Sequence, residues 1–174
     1  MEQYPKVIIA KQMIEEAENM INLVKVNRTK ASPIDTLIGI LGEYIFAQHF
    51  YGDWRQNNIG RNKGMADFEN IEIKASATPF RNGLHLLVRE DYAHNRKTAF
   101  YVQVIIDLKN STKILPNTIA YLCGFATVDE VEKAPKKDFG SKYGGPSGYL
   151  CHYISIKKLH PMVDLRNSIA KMST

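Results

Sequence analysis

Two short strings hold the residues best suited to chemistry in this chain of 174 residues: Gly64-Met65-Ala66-Asp67 and, after four intervening residues, Glu72-Ile73-Lys74. Residues 71–76 alternate, with Ile71, Ile73 and Ala75 facing one way and Glu72, Lys74 and Ser76 the other, which is the pattern of a half-buried strand. Asp67 then falls at the beginning of a hairpin or strand, and the short interval to Glu72 demands a tight turn near Glu69-Asn70. Two carboxylates from adjacent strand ends can jointly ligate a hard divalent ion. Magnesium in particular takes one or two carboxylates, waters and a phosphate oxygen rather than a full protein cage. A lysine beside such an ion can orient or deprotonate a water, or neutralise charge building on phosphorus. The alternative is a surface strand with a Glu and Lys stripe next to an unrelated turn Asp, because charged residues at loose spacings are common.

A third acid stands on a different element. Ser32-Pro33-Ile34-Asp35 reads as an N-cap, a proline at the first helical position and an acid at the third, opening a helix that runs to about Phe50 with Gly52 as its stop. This stretch contains no Lys or Arg, and its acids are Asp35 and Glu43. Apolar residues lie on more than one side of it, so Glu43 is exceptional. In such surroundings a carboxylate must neutralise or find a cation, and Gly42 just before it permits a close approach. The competing reading is a Glu that reaches solvent along a narrow stripe.

The remaining elements must position these groups. Residues 6–26 place Ala10, Met13, Ile14, Ala17, Met20, Ile21 and Val24 at three- and four-residue steps, which predicts an amphipathic N-terminal helix. Leu84 to Arg89, Ala99 to Leu108, Ile119 to Val128 and Tyr149 to Ile156 are strand candidates. Residues 133–148, with Lys133, Lys136, Lys137, Lys142 and several glycines, read as a basic loop, and a short helix is expected at the C-terminus. With no repeat and no linker, one mixed α/β domain over 1–174 is expected, a mixed central sheet flanked by helices, with its catalytic core at about 33–108 and C-terminal strands and basic loop over 109–174. Gln103 shares the parity of Tyr101, opposite Phe100, Val102 and Val104, and could border the site or simply be hydrogen-bonded within the sheet.

The composition is 44% hydrophobic and 24% charged, an ordinary globular balance that excludes disordered and collagen-like chains. The net charge of +5 lies in the later two thirds: eight basic against six acidic residues over 51–100 and ten against six over 101–174, but five against six over 1–50. A localised excess suits phosphate contact, although a solvated surface would look the same. Arg55, Arg61 and Lys63 flank an Asn- and Gly-rich stretch just before Asp67, and Arg81, Lys136 and Lys137 extend the candidate nucleic-acid surface. Tyr51, Trp54 and Tyr92 could stack bases, though aromatic residues at strand boundaries are more often core. Cys123 and Cys151 form no metal-binding pair, and the five histidines share no spacing. The expectation is therefore a reducing, cytoplasmic location without signal peptide or membrane span.

Gly42-Glu43 on a helix, Asp67, and Glu72-x-Lys74 on the following strand occur in the order and on the element types of the PD-(D/E)xK, or restriction-endonuclease-like, phosphodiesterases, which this chain resembles over about residues 33–108. Ala66 stands where the family name writes Pro. The resemblance implies Asp67 and Glu72 as metal ligands with the backbone carbonyl of Ile73 as a third, Glu43 as an outer or second-metal ligand, and Lys74 as the group that positions or activates the attacking water. It also implies a magnesium-dependent DNA endonuclease, with manganese as substitute, of restriction, repair or junction-resolving type from a phage or mobile element. No motor motif or nucleotide cofactor is expected, and double-strand cleavage by so small an enzyme would call for a homodimer, by analogy. Two other classes remain open. One is a nucleic-acid-binding module that keeps the nuclease-like fold without turnover. The other is a structural interaction protein whose acids are simply paired with lysines.

Overall fold

A computed structural model describes residues 3–25, 32–59, 66–95, 98–109, 111–140 and 149–172. The chain begins with a short strand β1 (Lys6–Ile8) and helix α1 (Lys11–Lys25). Residues 6–26 are thus not one helix. Val7 is buried between exposed Lys6 and Ile8, and the three residues pair antiparallel with Tyr121, Ala120 and Ile119. That pairing crosses more than half the chain, so a local helical spacing could not reveal it.

Helix α2 (Pro33–Tyr51) matches its sequence signals. The Ser32 hydroxyl accepts from the Asp35 N–H, Pro33 opens the first turn, and Gly52 ends the helix in the left-handed region at φ 77°. Strands β2 (Ile71–Thr78), β3 (His85–Arg89), β4 (Phe100–Asp107) and β5 (Ile119–Thr127) lie close to the expected positions. Short helices α3 (Glu90–Asn95) and α4 (Val128–Lys133) follow β3 and β5, the second with a reciprocal Thr127–Glu130 capping box. The 133–148 segment is not wholly loop: Lys136–Lys137 form strand β6, paired with β7 (Cys151–Ser155), and residues 141–148 lie outside the described residues. Helix α5 (Leu165–Met172) closes the chain.

The architecture is mixed α/β, as the alternation of periods implies. One sheet has the order β1-β5-β4-β2, with β2 parallel to β4 and the other pairs antiparallel. A second sheet has the order β3-β7-β6. The odd-numbered side of β2 (Ile71, Ile73) and Phe100, Val102, Val104 and Ile106 of β4 form the main core with α1 and α2. The opposite side of the first sheet, through Tyr101, Ile105, Tyr121 and Cys123, packs instead against apolar residues of the second sheet and its connections, including Leu86, Val88 and Ile156. Being covered on both faces explains why β4 and β5 read as nearly continuous apolar runs. No helix among the described residues is long and apolar enough to cross a membrane.

Candidate active site

Gly42 fixes where α2 meets the sheet. A Cβ placed on it would stand 2.5 Å from the Ala75 Cβ, so only a glycine lets the helix come this close to β2. The earlier turns of α2 diverge from the strand. They leave a groove of about 360 Å³ lined by Asp35, Ile38 and Gly39 of the helix and residues 73–77 of β2, Lys74 among them.

The turn between Asp67 and Glu72 has the tightness their spacing requires. Phe68 and Ile71 exchange two backbone hydrogen bonds, 3.0 and 2.9 Å long, around Glu69-Asn70, with Asn70 at φ 62°. Asparagine enters that left-handed region more readily than most side chains, because its short amide can hydrogen-bond locally. This fold-back brings Asp67 alongside β2, where its Oδ2 accepts the Ile73 N–H at 2.8 Å. Asn58 donates its side-chain amide to the Asp67 carbonyl at 3.2 Å and ties the preceding segment to the same point.

The direction of the strand then follows from its hydrogen bonds. The carbonyls of Asn70 and Thr78 accept from Ala99, Phe100 and Leu108 and so point toward β4. Backbone groups alternate along a strand, and those of Ile73, Ala75 and Ala77 therefore point to the opposite edge. The Ile73 carbonyl shares that edge with its own N–H and hence with the Asp67 carboxylate. No strand pairs with this edge of β2 among the described residues beyond the isolated bridge at Phe68.

Glu72 and Lys74 leave the strand on the face turned toward the second sheet. Their charged ends lie 3.9 Å apart, Oε1 to Nζ. Asp67 and Glu72 are only 5% and 4% exposed, and carboxylates so covered are held by donors, by a cationic side chain or by a metal. Lys74 keeps about a quarter of its side chain in solvent. Across the parallel pair, Glu72 is level with Tyr101 and Lys74 with Gln103. The Gln103 side-chain amide donates to the Val104 carbonyl at 3.0 Å where β4 and β5 shift register.

The types of donor at residues 67, 72 and 73 are those a small oxygen-loving cation takes. Two carboxylates and a backbone carbonyl lie near residue 73, the number of protein oxygens that magnesium accepts when it keeps several waters. Among the described residues no group of three or more His, Cys, Asp and Glu side chains is gathered tightly enough to hold a metal. Glu43 is thus not clustered with Asp67 and Glu72. It sits half-buried on α2 directly after the Gly42 contact, and its charge helps raise the Tyr44 phenol to about 12, after burial and Glu16.

The candidate nucleic-acid residues are dispersed. The Arg55 guanidinium stacks 4.3 Å over Trp54 and reaches Gln12, Arg81 is exposed in the turn before β3, Lys136 pairs with Glu90 at 3.2 Å, and Lys137 lies over the Phe139 ring. Arg61, Lys63 and the Tyr92 side chain fall outside the described residues. Trp54 packs on Tyr44, and Tyr51 joins Phe46, Phe50 and Phe68, so neither offers an isolated stacking face. Sequence reasoning missed the Ile73 N–H as the anchor of Asp67 and missed Asp35 and Gly39 as groove walls. The Gly42 contact was the cue for the groove, since a helix that touches a strand at one turn must separate from it at others. No family model, curated protein or solved structure matches this chain.

Proposed function

We propose that this protein is a divalent-metal-dependent DNA endonuclease that hydrolyses phosphodiester bonds at the open edge of β2. The observation that carries the reading is the 2.8 Å hydrogen bond from the Ile73 N–H to Asp67, which holds one buried carboxylate against the middle of Glu72-Ile73-Lys74. It supports the resemblance to the PD-(D/E)xK enzymes, because Asp67, Glu72 and the Ile73 carbonyl are the groups that would hold the ion.

Magnesium or manganese bound there would supply Lewis acidity at the scissile phosphate and a more acidic water. The chain's own groups do the positioning. Asp67 is immobilised by its backbone donor, and its orientation is therefore set before substrate arrives. The Lys74 ammonium, steadied by Glu72 and still reached by solvent, can donate hydrogen bonds to a phosphate oxygen or the attacking water and offset the charge that develops. Gln103, level with Lys74 on the neighbouring strand, would form the polar border of the site. Glu43 would act from outside the first pair of acids.

The test is incubation of the wild type and Lys74→Ala with supercoiled plasmid in magnesium, manganese or EDTA. Metal-dependent nicking that falls by about a hundredfold or more in the variant is the expected result, the size of effect typical for a lost proton-transfer or charge-stabilising group. Nicking that survives in Lys74→Ala, or that persists in EDTA, contradicts the mechanism. The near-complete burial of Asp67 and Glu72 favours one second reading, a nucleic-acid-binding module without turnover. That module would bind DNA in a salt-dependent manner and cut it under no metal.

A further inference from the structure

The second sheet turns one face to the first sheet and the other outward. Leu86 and Val88 of β3 and Ile154 of β7 pack inward, together with Ala93 of α3 and Val131 of α4. Alternation then places His85, Leu87 and Arg89 of β3 and Cys151, Tyr153 and Ser155 of β7 on the outer face. Rings gather there. His85 and Tyr153 are 5.7 Å apart edge to face, Phe139 and Tyr153 are 5.4 Å apart, and Phe139 is 42% exposed. No described helix covers this face, since the two that touch the sheet insert their apolar residues on its inner side.

The chain segments that supply β3 and β7 carry charge of one sign. Residues 79–89 and 149–163, which supply β3 and β7, contain Arg81, Arg89, Lys157 and Lys158 and no Asp or Glu. At the far end Arg89 is shared between the Tyr149 ring, 3.7 Å away, and Asp91, and the pair Lys136–Glu90 lies beside it. Flat aromatic side chains with cations at the margin are the combination that holds unpaired bases and their phosphates. Each ring offers a stacking surface to any base, while the cations track the backbone.

We propose that the outer face of the β3-β7-β6 sheet binds single-stranded nucleic acid, stacking bases on Phe139, Tyr153 and His85 with Arg81, Lys157 and Lys158 meeting phosphates. The binding does not rest on the nuclease reading.

The experiment measures fluorescence anisotropy of a labelled oligothymidylate of about 15 nucleotides, and of a duplex of equal length, with the full chain in EDTA so that no cleavage intervenes. The wild type is expected to prefer the single strand. Phe139→Ala with Tyr153→Ala should weaken it by about 10-fold or more, whereas Phe139→Tyr with Tyr153→Phe should retain it. If the double alanine variant loses its melting transition, Lys157→Gln with Lys158→Gln serves instead. That variant should lower the slope of log affinity against log salt by about 0.7 for each phosphate contact removed. Equal affinity in the wild type and both variants overturns the proposal. So does a dimer that the alanine variant abolishes without any single-strand binding, which would assign the face to a second copy of the chain. The two readings fail separately. A wild type that nicks plasmid but binds single strands no better than the variants refutes the platform alone, and one that binds through Phe139 and Tyr153 but cuts nothing refutes the nuclease alone.

Discussion

Asp67 does two jobs within a single residue, and they can be separated. Its Oδ2 accepts the Ile73 N–H, and the carboxylate charge would serve a cation. Asp67→Asn retains an acceptor oxygen and is expected to melt close to the wild type while losing metal-dependent cleavage. Asp67→Ala leaves the buried N–H without that acceptor and should cost about 1–3 kcal/mol, read as a lower unfolding midpoint in urea. Equal loss of stability in both variants would mean that the carboxylate, not the hydrogen bond, holds the turn. Residue type and spacing single out Asp67, Glu72 and Lys74 in the sequence. The anchoring bond is not legible there, because it exists only once Asn70 adopts positive φ and the turn closes.

Glu130 carries a pH dependence unconnected with the site. Burial pushes its carboxyl up, but hydrogen bonds from the Thr127 N–H, His160 and the Thr127 hydroxyl, with the His160 charge, bring it below the usual carboxylate range. A depressed folded value means that the unfolded state takes up the proton first as pH falls. The stabilisation is therefore complete above the unfolded value of about 4.3 and disappears as pH drops through the folded one. Melting curves between about pH 6 and pH 2 should show the wild type losing stability that Glu130→Gln, already weaker at neutral pH, does not have to lose. Parallel curves for the two proteins would sink this assignment.

Among the elements, two glycines of one helix should respond to the same substitution with opposite signs. A Cβ added at Gly39 would meet nothing within 4 Å, so Gly39→Ala gains helix propensity and should stabilise by about 0.5–1 kcal/mol. Gly42→Ala meets the Ala75 Cβ at 2.5 Å and must push α2 away from β2, at about 1–3 kcal/mol against a smaller propensity gain. Thermal unfolding of both variants decides this, and a stabilised Gly42→Ala would refute the close helix–strand contact. The boundaries of α2 were readable because Ser32, Pro33 and Gly52 act locally. The strand at Lys6–Ile8 was not, since its residues also satisfy a helical spacing and only their distant partners on β5 decide between the two.

Across the whole molecule, the site and the proposed platform depend on a layer that no local pattern specifies. Strands β3 and β7 pair across more than sixty residues, His85 with Ser155 and Arg89 with Cys151. Alternation marked both as strands, yet nothing in either segment told that they would form a separate sheet and cover Tyr101 and Ile105. The surplus of basic residues in the later two thirds of the chain was visible from the start. Its placement required the fold, which stacks Arg55 on Trp54, pairs Lys136 with Glu90, lays Lys137 over Phe139 and leaves β3 and β7 without acids.

Whether an ion sits beside Ile73 is decided by calorimetric titration of manganese into the wild type and Glu72→Gln, read together with the shift of each melting temperature as metal is added. An ion held by Asp67, Glu72 and the Ile73 carbonyl stabilises the folded state by about 2.7 kcal/mol when the metal is at a hundred times its dissociation constant. Saturable binding and a rising melting temperature are expected in the wild type, both greatly reduced in Glu72→Gln. A wild type that takes up no metal, or a Glu72→Gln variant that binds it equally well, would contradict the metal site and the nuclease built on it.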